Sequence, residues 1–464
     1  MSVKRRTTIP AQRKRFVQDD EDNDALRHST HQIVSRSHGK NEDDELPKTW
    51  RRVAVKSVAK SIQYGHTASA IDRKKGPRFL RITDIQDGRV DWSAVPSCDI
   101  PEEYIPKYRL EAGDLVFART GATTGKSFLI RECPEAVFAS YLIRVRVSAD
   151  VDSRYLSLFF HSPDYWRQIE SGKRGIGQPN VNGKVLGDVE FPLAPLDEQR
   201  QIVAEIEKQF TRLEVGVAGL RRVQANLKRY RVAVLKAACE GKRVPTEAGR
   251  WSKTTLGTVL TKIEAGKSFR CEERPPHVTE VGVVKVSAVT WGTFDERETK
   301  TCLDKSRVDE RYFIRPGDFL FSRANTIDLV GACVITSTIS LKLMLSDKIL
   351  RFRFAETVIP QWVLYWLRSE FGRKEIQRLS TGNQESMRNI GQDRIRQISL
   401  VIPPLPEQQR IIAEVERRLS IVEELEAVVN ANLQRATRLR GSILQRAFEG
   451  ALVDPSKITD TSMS

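Results

Sequence analysis

The segment TGATTGKS at 120–127 has the residue types of a loop that binds nucleotide phosphates, but it does not have the spacing. Three residues separate Gly121 from Gly125, whereas a phosphate-binding loop has four residues between its glycines. The backbone cradle would therefore be too short for a phosphate. The pattern predicts a turn, which either simply connects two strands or also holds Lys126 beside a DNA phosphate.

Two further segments have part of a catalytic pattern. Pro163-Asp164 is followed by Glu170 and Lys173, which is the composition of a nuclease metal site with the wrong spacing between glutamate and lysine. IPPL at 402–405 lacks the preceding Asn or Asp and the following aromatic residue with which an amino-methyltransferase holds a flipped adenine. We therefore expect no catalysis by this chain, and we interpret IPPL as a linker.

Arginine, asparagine and glutamine side chains at strand ends and in loops suit a different chemistry, the recognition of DNA. Arginine matches guanine O6 and N7, and asparagine or glutamine can hold adenine through two hydrogen bonds, whereas basic clusters are expected to contact phosphates. Each residue taken singly is also compatible with an ordinary solvated side chain. The candidates for base recognition are Arg119, Thr120, Lys126, Gln178, Asn180 and Asn182 in the first half of the chain and Arg323, Asn325, Asn383, Gln384, Arg388 and Asn389 in the second, and those for phosphate contact are Arg73, Lys74, Lys75, Lys173 and Arg174.

The charge of the whole chain agrees with a nucleic-acid partner. Lys and Arg number 76 and Asp and Glu 60, which gives a formal net charge of +16. A basic protein without such a partner is the alternative on charge alone. The six cysteines have no metal-ligand spacing, so we expect reduced, mostly buried thiols and no metal site. Because the sequence has neither a secretory signal nor an apolar run of about 20 residues, we expect a cytoplasmic protein without membrane contact.

A long internal repeat organises the chain. PLDEQRQIVAEIE at 195–207 matches PLPEQQRIIAEVE at 404–416 at eight of thirteen positions. The same offset of 209 residues (404 minus 195) aligns two Glu-Gly pairs, which stand where helix C-caps are expected. Each copy therefore predicts one long helix. The two helical segments are 195–245 and 404–454.

Both predicted helices have a seam of mainly apolar residues at alternating spacings of four and three. This heptad spacing favours a coiled coil, and two amphipathic helices docked separately on their own domains are the alternative. Helices that pack together in this chain order must run antiparallel. The seam positions are Ile206, Phe210, Leu213, Val217, Leu220, Gln224, Leu227, Arg231 and Val234, and then Val415, Leu419, Val422, Glu426, Val429, Leu433, Ala436, Arg440 and Ile443.

The regions 46–194 and 246–403 are predicted to be distantly related domains with short strands and many turns. GDLVFART at 113–120 parallels GDFLFSRA at 317–324, and the alternation predicts a strand that ends in an exposed arginine. The fold class is thus α/β (mixed α+β), with two similar domains separated by two long antiparallel helices in a pseudo-twofold repeat. Residues 1–45 are predicted to be a disordered charged tail, and 455–464 a second tail.

Over about 46–454 the chain resembles the specificity subunits of type I restriction-modification enzymes. The resemblance rests on the paired PLxEQ segments, the LPxxW opening at Leu46 to Trp50, the Glu-Gly helix ends and the loop GIGQPNVNGKVL at 175–186. The second copy of this loop, TGNQESMRNIGQDRI at 381–395, contains inserted residues.

The resemblance implies two target-recognition domains that read an asymmetric bipartite site in double-stranded DNA. It also implies that the helices dock two modification (methyltransferase) subunits, which bind S-adenosylmethionine and methylate adenine. Restriction subunits, which translocate DNA with ATP and then cut it, would join the complex, so ATP and Mg are expected on partners and no cofactor on this chain. The alternative function is a stand-alone two-headed DNA-binding regulator or scaffold without enzyme partners.

Overall fold

The computed structural model describes two compact units of the chain. Unit 1 contains 1–221 and 430–464, and unit 2 contains 222–429. Each unit therefore holds one globular head, head 1 (46–194) or head 2 (251–403), and part of both long helices. The predicted tails lie outside the described residues, which are 46–71, 76–86, 88–121, 123–172, 181–242 and 251–453, without the side chain of Asn383.

Head 1 is a mixed α/β domain with two main sheets. Its strands are β1 Arg51–Ala54, β2 Ala59–Tyr64, β3 Ala70–Ile71, β4 Arg78–Leu80, β5 Ile85–Gln86, β6 Arg89–Val90, β7 Ser97–Cys98, β8 Leu115–Ala118, β9 Ser127–Leu129, β10 Ala136–Phe138, β11 Leu142–Val147 and β12 Glu190–Leu193, and its helices are α1 Val55–Val58, α2 Ile105–Tyr108, α3 Ser153–Phe159, α4 Pro163–Gly172 and α5 Gly183–Gly187. One sheet is antiparallel in the order β2-β11-β8-β9, and the other, β10-β4-β7-β3, contains the parallel pair β10-β4. Strand β8 is buried throughout, as its apolar sequence requires.

Head 2 repeats this topology. Its strands are β13 Ser252–Thr255, β14 Leu260–Ala265, β15 Val281–Val284, β16 Thr299–Cys302, β17 Phe319–Ser322, β18 Ala324–Asn325, β19 Cys333–Ile335, β20 Lys342–Met344, β21 Ile349–Phe354, β22 Thr381–Gln384, β23 Met387–Asn389 and β24 Ser399–Ile402. Sheets β14-β21-β17-β19 and β16-β15-β20 correspond to the two main sheets of head 1, and β13-β24 corresponds to β1-β12. The inserted residues near 381–389 form a further sheet, β18-β23-β22. The predicted relationship between the heads is thereby confirmed.

Two helices of 44 residues each, α6 Leu196–Cys239 and α11 Leu405–Phe448, follow the heads. Short helices of head 2, α7 Leu256–Val259, α8 Pro360–Arg368, α9 Glu370–Leu379 and α10 Gln392–Arg396, lie between them in sequence. Both long helices end as predicted. Gly241 (φ 67°) and Gly450 (φ 74°) adopt the left-handed conformation that glycine favours. The next amide reaches back to a carbonyl of the last turn, Lys242 to Ala237 at 2.9 Å and Ala451 to Arg446 at 2.8 Å.

The heptad seam is confirmed by burial. Of its eighteen predicted residues, all within the described ranges, only Arg440 is exposed, and the other seventeen are buried or half-buried. In unit 1 the Arg440 guanidinium lies 4.4 Å from the centre of the Phe210 ring, and Ile202, near the start of α6, lines one cavity with Ala447, near the end of α11. The helix segments of this unit therefore run antiparallel.

The helix segments of unit 2 have the same arrangement. Arg231 pairs with Glu426 at 3.0 Å, and Ala238 near the end of α6 lines a cavity with Ile411 near the start of α11. Residue numbers rise along one helix where they fall along the other, so these segments also run antiparallel.

The repeated Glu-Gln pair of the PLxEQ segments fastens each head to its helix. The indole N–H of Trp50 donates to Glu198 at 2.8 Å, and that of Trp251 donates to Glu407 at 2.7 Å. We call this contact, together with the glutamine that follows each glutamate, the head-helix joint. Its two copies use the same chemistry in units 1 and 2.

The glutamine of each joint is fully buried and binds three backbone groups of its head. Gln199 accepts from the Asp152 amide and donates to the carbonyl oxygens of Asp150 and Ala194. Gln408 accepts from the Ile359 amide at 2.8 Å and donates to the carbonyl oxygens of Thr357 and Pro403 at 3.2 and 2.8 Å. The motif that carries the sequence repeat is therefore structural.

A buried arginine on the central strand of the main sheet braces head 1. Arg144 is 2% exposed and donates to the Gln63 side chain at 2.6 Å and to the carbonyl oxygen of Arg109 at 2.5 Å. It also lies 3.7 Å from Asp114, the aspartate of GDLVFART. Burial lowers the pKa of Arg144, and Asp114 counteracts this effect.

Head 2 has the same brace with an added carboxylate. Arg351 donates to Asp318 at 3.0 Å and to Glu264 at 2.6 Å. It also donates to the carbonyl oxygens of Phe313 and Arg311, both at 2.7 Å. This cluster fixes the strand ends beside Asp318, the aspartate of GDFLFSRA in the second head.

Acid should weaken head 2 through Glu264. Burial acts to raise its pKa, but hydrogen bonds from Lys262 and Arg351 outweigh burial and lower the pKa to about 2. A folded pKa below the unfolded value of about 4.3 means that ionised Glu264 contributes stability above about pH 5, which is lost as the pH falls toward 2. The free energy of unfolding of the Glu264→Gln variant should therefore fall less steeply across this range.

Urea unfolding followed by hydrogen exchange on peptides of head 2 would measure this slope. Glu356→Gln, which changes an exposed carboxylate of the same head, is the control and should keep the wild-type slope. A Glu264→Gln curve parallel to the wild-type curve would contradict the assignment.

The described residues also bear on two simpler expectations. No helix among them is long and apolar enough to cross a bilayer. All six cysteines are described and unbonded, with Cys133 and Cys271 half-buried and the other four buried.

Candidate nucleic-acid interface

Arg119 lies at one edge of the main sheet of head 1, where three strand ends meet. It directly follows β8, Tyr141 precedes β11, and Tyr64 ends β2. Because β11 runs antiparallel to both neighbours, the ends of β8 and β2 and the start of β11 share this edge. The amide of Arg119 donates to the carbonyl oxygen of Tyr141 at 3.0 Å. We call this group of three residues the reading edge of head 1.

The Arg119 guanidinium is oriented by an aromatic ring instead of by a carboxylate. Its central carbon lies 5.1 Å from the centre of the Tyr64 ring, within the range of a cation–π interaction. Its Nε atom is buried without a hydrogen-bond partner, and no ion pair joins it to any carboxylate of the described residues. The predicted exposed arginine is therefore half-buried, with donors that a ligand can use.

Tyr64, which the sequence reasoning missed, links this arginine to the loop before α5. Its hydroxyl accepts a hydrogen bond from the Gly183 amide at 2.8 Å. A Cβ atom at Gly183 would lie 3.3 Å from Ile62 and 3.4 Å from the Tyr64 hydroxyl, so this approach favours glycine. Tyr64 and Tyr141 are 40% and 38% exposed, and an aromatic residue at the solvent end of a strand was the available signal.

The corresponding edge of head 2 has the same backbone frame and different side chains. Arg323 follows β17, and its amide donates to the carbonyl oxygen of Lys348 at 2.9 Å. Its carbonyl accepts from the Ile390 amide at 2.9 Å, as the Arg119 carbonyl accepts from Val181 at 3.0 Å. The Nε atom of Arg323 is also buried without a partner. By strand pairing, Ala265 and Lys348 occupy the positions of Tyr64 and Tyr141.

The β22-β23 hairpin lies beside the reading edge of head 2, which comprises Arg323, Lys348 and Ala265. Strand β18 continues from Arg323 and pairs with β23, which brings Asn325 opposite Arg388 and places Asn389 next to them. Asn389 and Gln384 are exposed, and the Asn325 side chain accepts from the Thr326 amide at 2.8 Å. Asn325 and Asn389 therefore lie close to Arg323, and Gln384 lies on the same hairpin opposite Met387.

Arg388 braces this hairpin, and its role in base recognition stays a prediction. Its guanidinium donates to the carbonyl oxygens of Gly382 at 2.7 Å and Ser380 at 2.9 Å, and to the Ser380 hydroxyl at 3.1 Å. These bonds occupy most of its donors. A two-bond contact to guanine would therefore compete with these local bonds.

Asn182 is likewise committed to local structure. Its side-chain oxygen accepts from the amides of Lys184 at 3.0 Å and Val185 at 2.9 Å, which makes it the N-cap of α5. A two-bond grip on adenine needs the same oxygen. The predicted role would therefore require loss of the cap.

The described residues of 120–127, which exclude Ala122, form the predicted connecting turn. It joins the antiparallel strands β8 and β9, with Gly121 and Gly125 both at φ 88°. A phosphate-binding loop would instead lead from a strand into a helix. Thr120 is exposed and Lys126 is half-buried at the base of this turn. Both lie on the chain segment that follows Arg119.

The remaining candidate residues either form ion pairs within head 1 or lie outside the described residues. Asp164 of the supposed nuclease pattern pairs with Arg52 at 3.3 Å and with Arg167 at 3.0 Å. Across the described residues no group of three metal-ligating side chains was found. Predictions that lie outside the described residues concern Arg73, Lys74, Lys75, Lys173, Arg174, Gln178 and Asn180, and the side chain of Asn383 is not described.

Comparison with known proteins finds a family model that matches the first half of the chain and relatives that align with most of its length. Residues 47–216 match the type I restriction modification DNA specificity domain. The EcoKI specificity subunit of Escherichia coli is 26% identical over 88% of this chain and 90% of its own. The StySPI specificity subunit of Salmonella potsdam is 25% identical over 81% of this chain and 82% of its own. Residues 47–216 thus match the specificity domain of type I restriction-modification systems, and the chain is similar to specificity subunits over most of its length.

The fold of the chain has also been seen in a solved structure. A chain from a study of complex assembly and conformational transition of the type I R-M system aligns with a TM-score of 0.64 and 22% identity, over 88% of this chain and 99% of that chain. The mixed α/β heads and the two long helices thus form a known architecture. The matched domain includes Trp50, the reading edge of head 1 and the first joint.

Proposed function

We propose that this chain is a non-catalytic specificity subunit whose two reading edges each recognise one half of an asymmetric DNA target. The observation that carries the proposal is the pair of arginines, Arg119 and Arg323, held on the same backbone frame without a carboxylate partner among the described residues. Their neighbours differ, since Tyr64 and Tyr141 stand where head 2 has Ala265 and Lys348. Two similar frames with different side chains suit two different half-sites.

Arginine is chemically suited to this role because its fork of donors matches O6 and N7 of guanine. A buried Nε and a ring beneath the guanidinium restrict the motion of Arg119. Less side-chain entropy is then lost when a base binds. The outer nitrogens would face the edge where Thr120 and Lys126 can contact the DNA backbone.

The catalytic steps would belong to partner subunits. The long helices of unit 2 expose apolar side chains, among them Val232, Ile421, Leu425 and Val428, which are 46–58% exposed. Exposed apolar patches mark surfaces for protein partners. We propose that the helices dock two modification subunits that bind S-adenosylmethionine, and that ATP-dependent restriction subunits join them in the cytoplasm.

Arg119→Met and Arg323→Met should each relax one half-site and leave the other unchanged. Loss of a two-bond contact to guanine removes about 1–3 kcal/mol of discrimination, or about 5- to 150-fold. Sequencing of methylated sites in cells that contain the partner subunits would measure both half-sites at once. The control variants are Arg154→Met in head 1 and Arg297→Met in head 2, which remove exposed arginines paired with Asp152 and Asp295.

A variant that altered both half-sites, or neither, would contradict independent reading by the two edges. A loss of affinity for all sequences with a shallower salt dependence would instead assign the arginine to a phosphate. Co-purification separates the restriction-modification role from a stand-alone regulator or scaffold. Calorimetry of the chain alone should give no S-adenosylmethionine binding, and a stoichiometric signal would contradict the non-catalytic role.

A further inference from the structure

Two cysteines of head 2 lie directly opposite each other on neighbouring backbone segments. Glu272 and Thr301 form an antiparallel bridge and exchange both amide-to-carbonyl hydrogen bonds, each 2.9 Å long. Cys271 and Cys302 are therefore the next pair in this register. In an antiparallel ladder, the pair next to a hydrogen-bonded pair is a non-hydrogen-bonded pair, whose Cα atoms lie about 4.5 Å apart. Disulfides join Cα atoms about 4.4 to 6.8 Å apart.

Packing places both thiols on the same face. Cys302 pairs on its other side with Val281 in β15 and belongs to a small apolar cluster with Val283 and Met344, against which Cys271 also packs. Directly paired residues of an antiparallel ladder point to the same side of the sheet. Cys302 is buried and Cys271 is half-buried, and both are unbonded.

We propose that Cys271 and Cys302 are a redox-sensitive pair that forms a cross-strand disulfide when the chain reacts with a low-molecular-weight disulfide. The thiolate of the more exposed Cys271 attacks the small disulfide and releases one small thiol. The Cys302 thiolate then attacks the sulfur of Cys271 and releases the second. The cysteines lose two electrons and two protons in total, and the small disulfide becomes two thiols.

The bond would tether a charged segment of head 2. Residues 266–280 connect β14, which ends at the reading edge, to β15, and they carry the exposed side chains of Lys267 and Arg270. Oxidation would fasten this segment to β16. Burial raises the pKa of Cys271, and the neighbouring Cys302 adds to this effect, so the reaction should be slow at neutral pH and faster in alkali.

Oxidation of the full chain with glutathione disulfide at pH 7 and pH 9 tests the pair. Peptide mapping without reduction should give a peptide linked through Cys271 and Cys302, formed faster at pH 9. Trypsin cleavage after Lys267 and Arg270 should slow in the oxidised chain. Cys271→Ser should abolish the linked peptide, whereas Cys133→Ser, which changes the other half-buried cysteine, should leave it unchanged.

Three outcomes would overturn the proposal. One is a lasting mixed disulfide on Cys271 without transfer to Cys302. Another is linkage that involves the other cysteines in similar yield. The third is the absence of oxidation under conditions in which Cys271 is alkylated by iodoacetamide. The wild-type chain alone gives these answers, so misfolding of a variant does not affect them.

Discussion

Replacing Arg351 by methionine should lower the free energy of unfolding of head 2 by about 3–5 kcal/mol, because it leaves two carboxylates without their buried cation. The Arg351 side chain is 4% exposed and binds both Asp318 and Glu264. It also holds two backbone carbonyl oxygens. Methionine fills most of the volume, so the expected loss is mainly electrostatic.

Arg353→Met is the matched control for this change. Arg353 sits two residues further along β21 and contacts the same carboxylates, at 3.0 Å for Asp318 and 3.4 Å for Glu264, but its side chain is 45% exposed. Exposed pairs contribute about 0–1 kcal/mol. Urea unfolding of both variants, followed on peptides of head 2, would compare them, and equal losses would show that burial does not decide the effect.

Gln408→Leu should lower the free energy of unfolding of unit 2 by about 2–5 kcal/mol, since it leaves three backbone groups without partners in a fully buried place. These groups are the Ile359 amide and the carbonyl oxygens of Thr357 and Pro403. The variant Gln409→Leu makes the same chemical change one residue later, at an exposed position of α11. It should change stability by no more than about 0.5 kcal/mol.

The same experiment on the first joint extends the test. Gln199→Leu should weaken unit 1 in the way that Gln408→Leu weakens unit 2, because Gln199 holds the corresponding three groups. Hydrogen exchange resolves the two units in one chain. If either glutamine could be replaced without loss, the joint would not be what fastens the head.

The long helices could be predicted because their signals are local. Heptad spacing, a glutamate in the first turn and a glycine at the end lie within one stretch of chain, and the structure places all of them as expected. Seam position Arg440 is the exception, since a long side chain can cover Phe210 while its charged end stays in water.

The reading edge could be predicted only in part. The arginines that end the strands of GDLVFART and GDFLFSRA were visible in the sequence. Tyr64, however, meets Arg119 only because β11 lies between β2 and β8 in the sheet. Sheet order depends on contacts between distant segments. By contrast, the role of Asn182 had a local signal, because asparagine before a short helix is a preferred N-cap.

The burial of the arginine braces could not be predicted from the sequence. Arg351 stands in an alternating strand sequence, where a charged residue is normally assigned to the solvent face. The aspartate and glutamate that allow its burial come from segments 33 and 87 residues away. A charge on a strand therefore reveals its burial only when its partners are known.

The head-helix joint has a consequence for the history of such chains. Its tryptophan comes from the head and its glutamate and glutamine from the helix, and both copies use the same three residue types. A head acquired by recombination within these segments would meet the glutamate and glutamine that its own tryptophan and backbone require. Gene exchange can then bring in a new DNA preference in one step, while the attachment that keeps the protein folded is inherited intact.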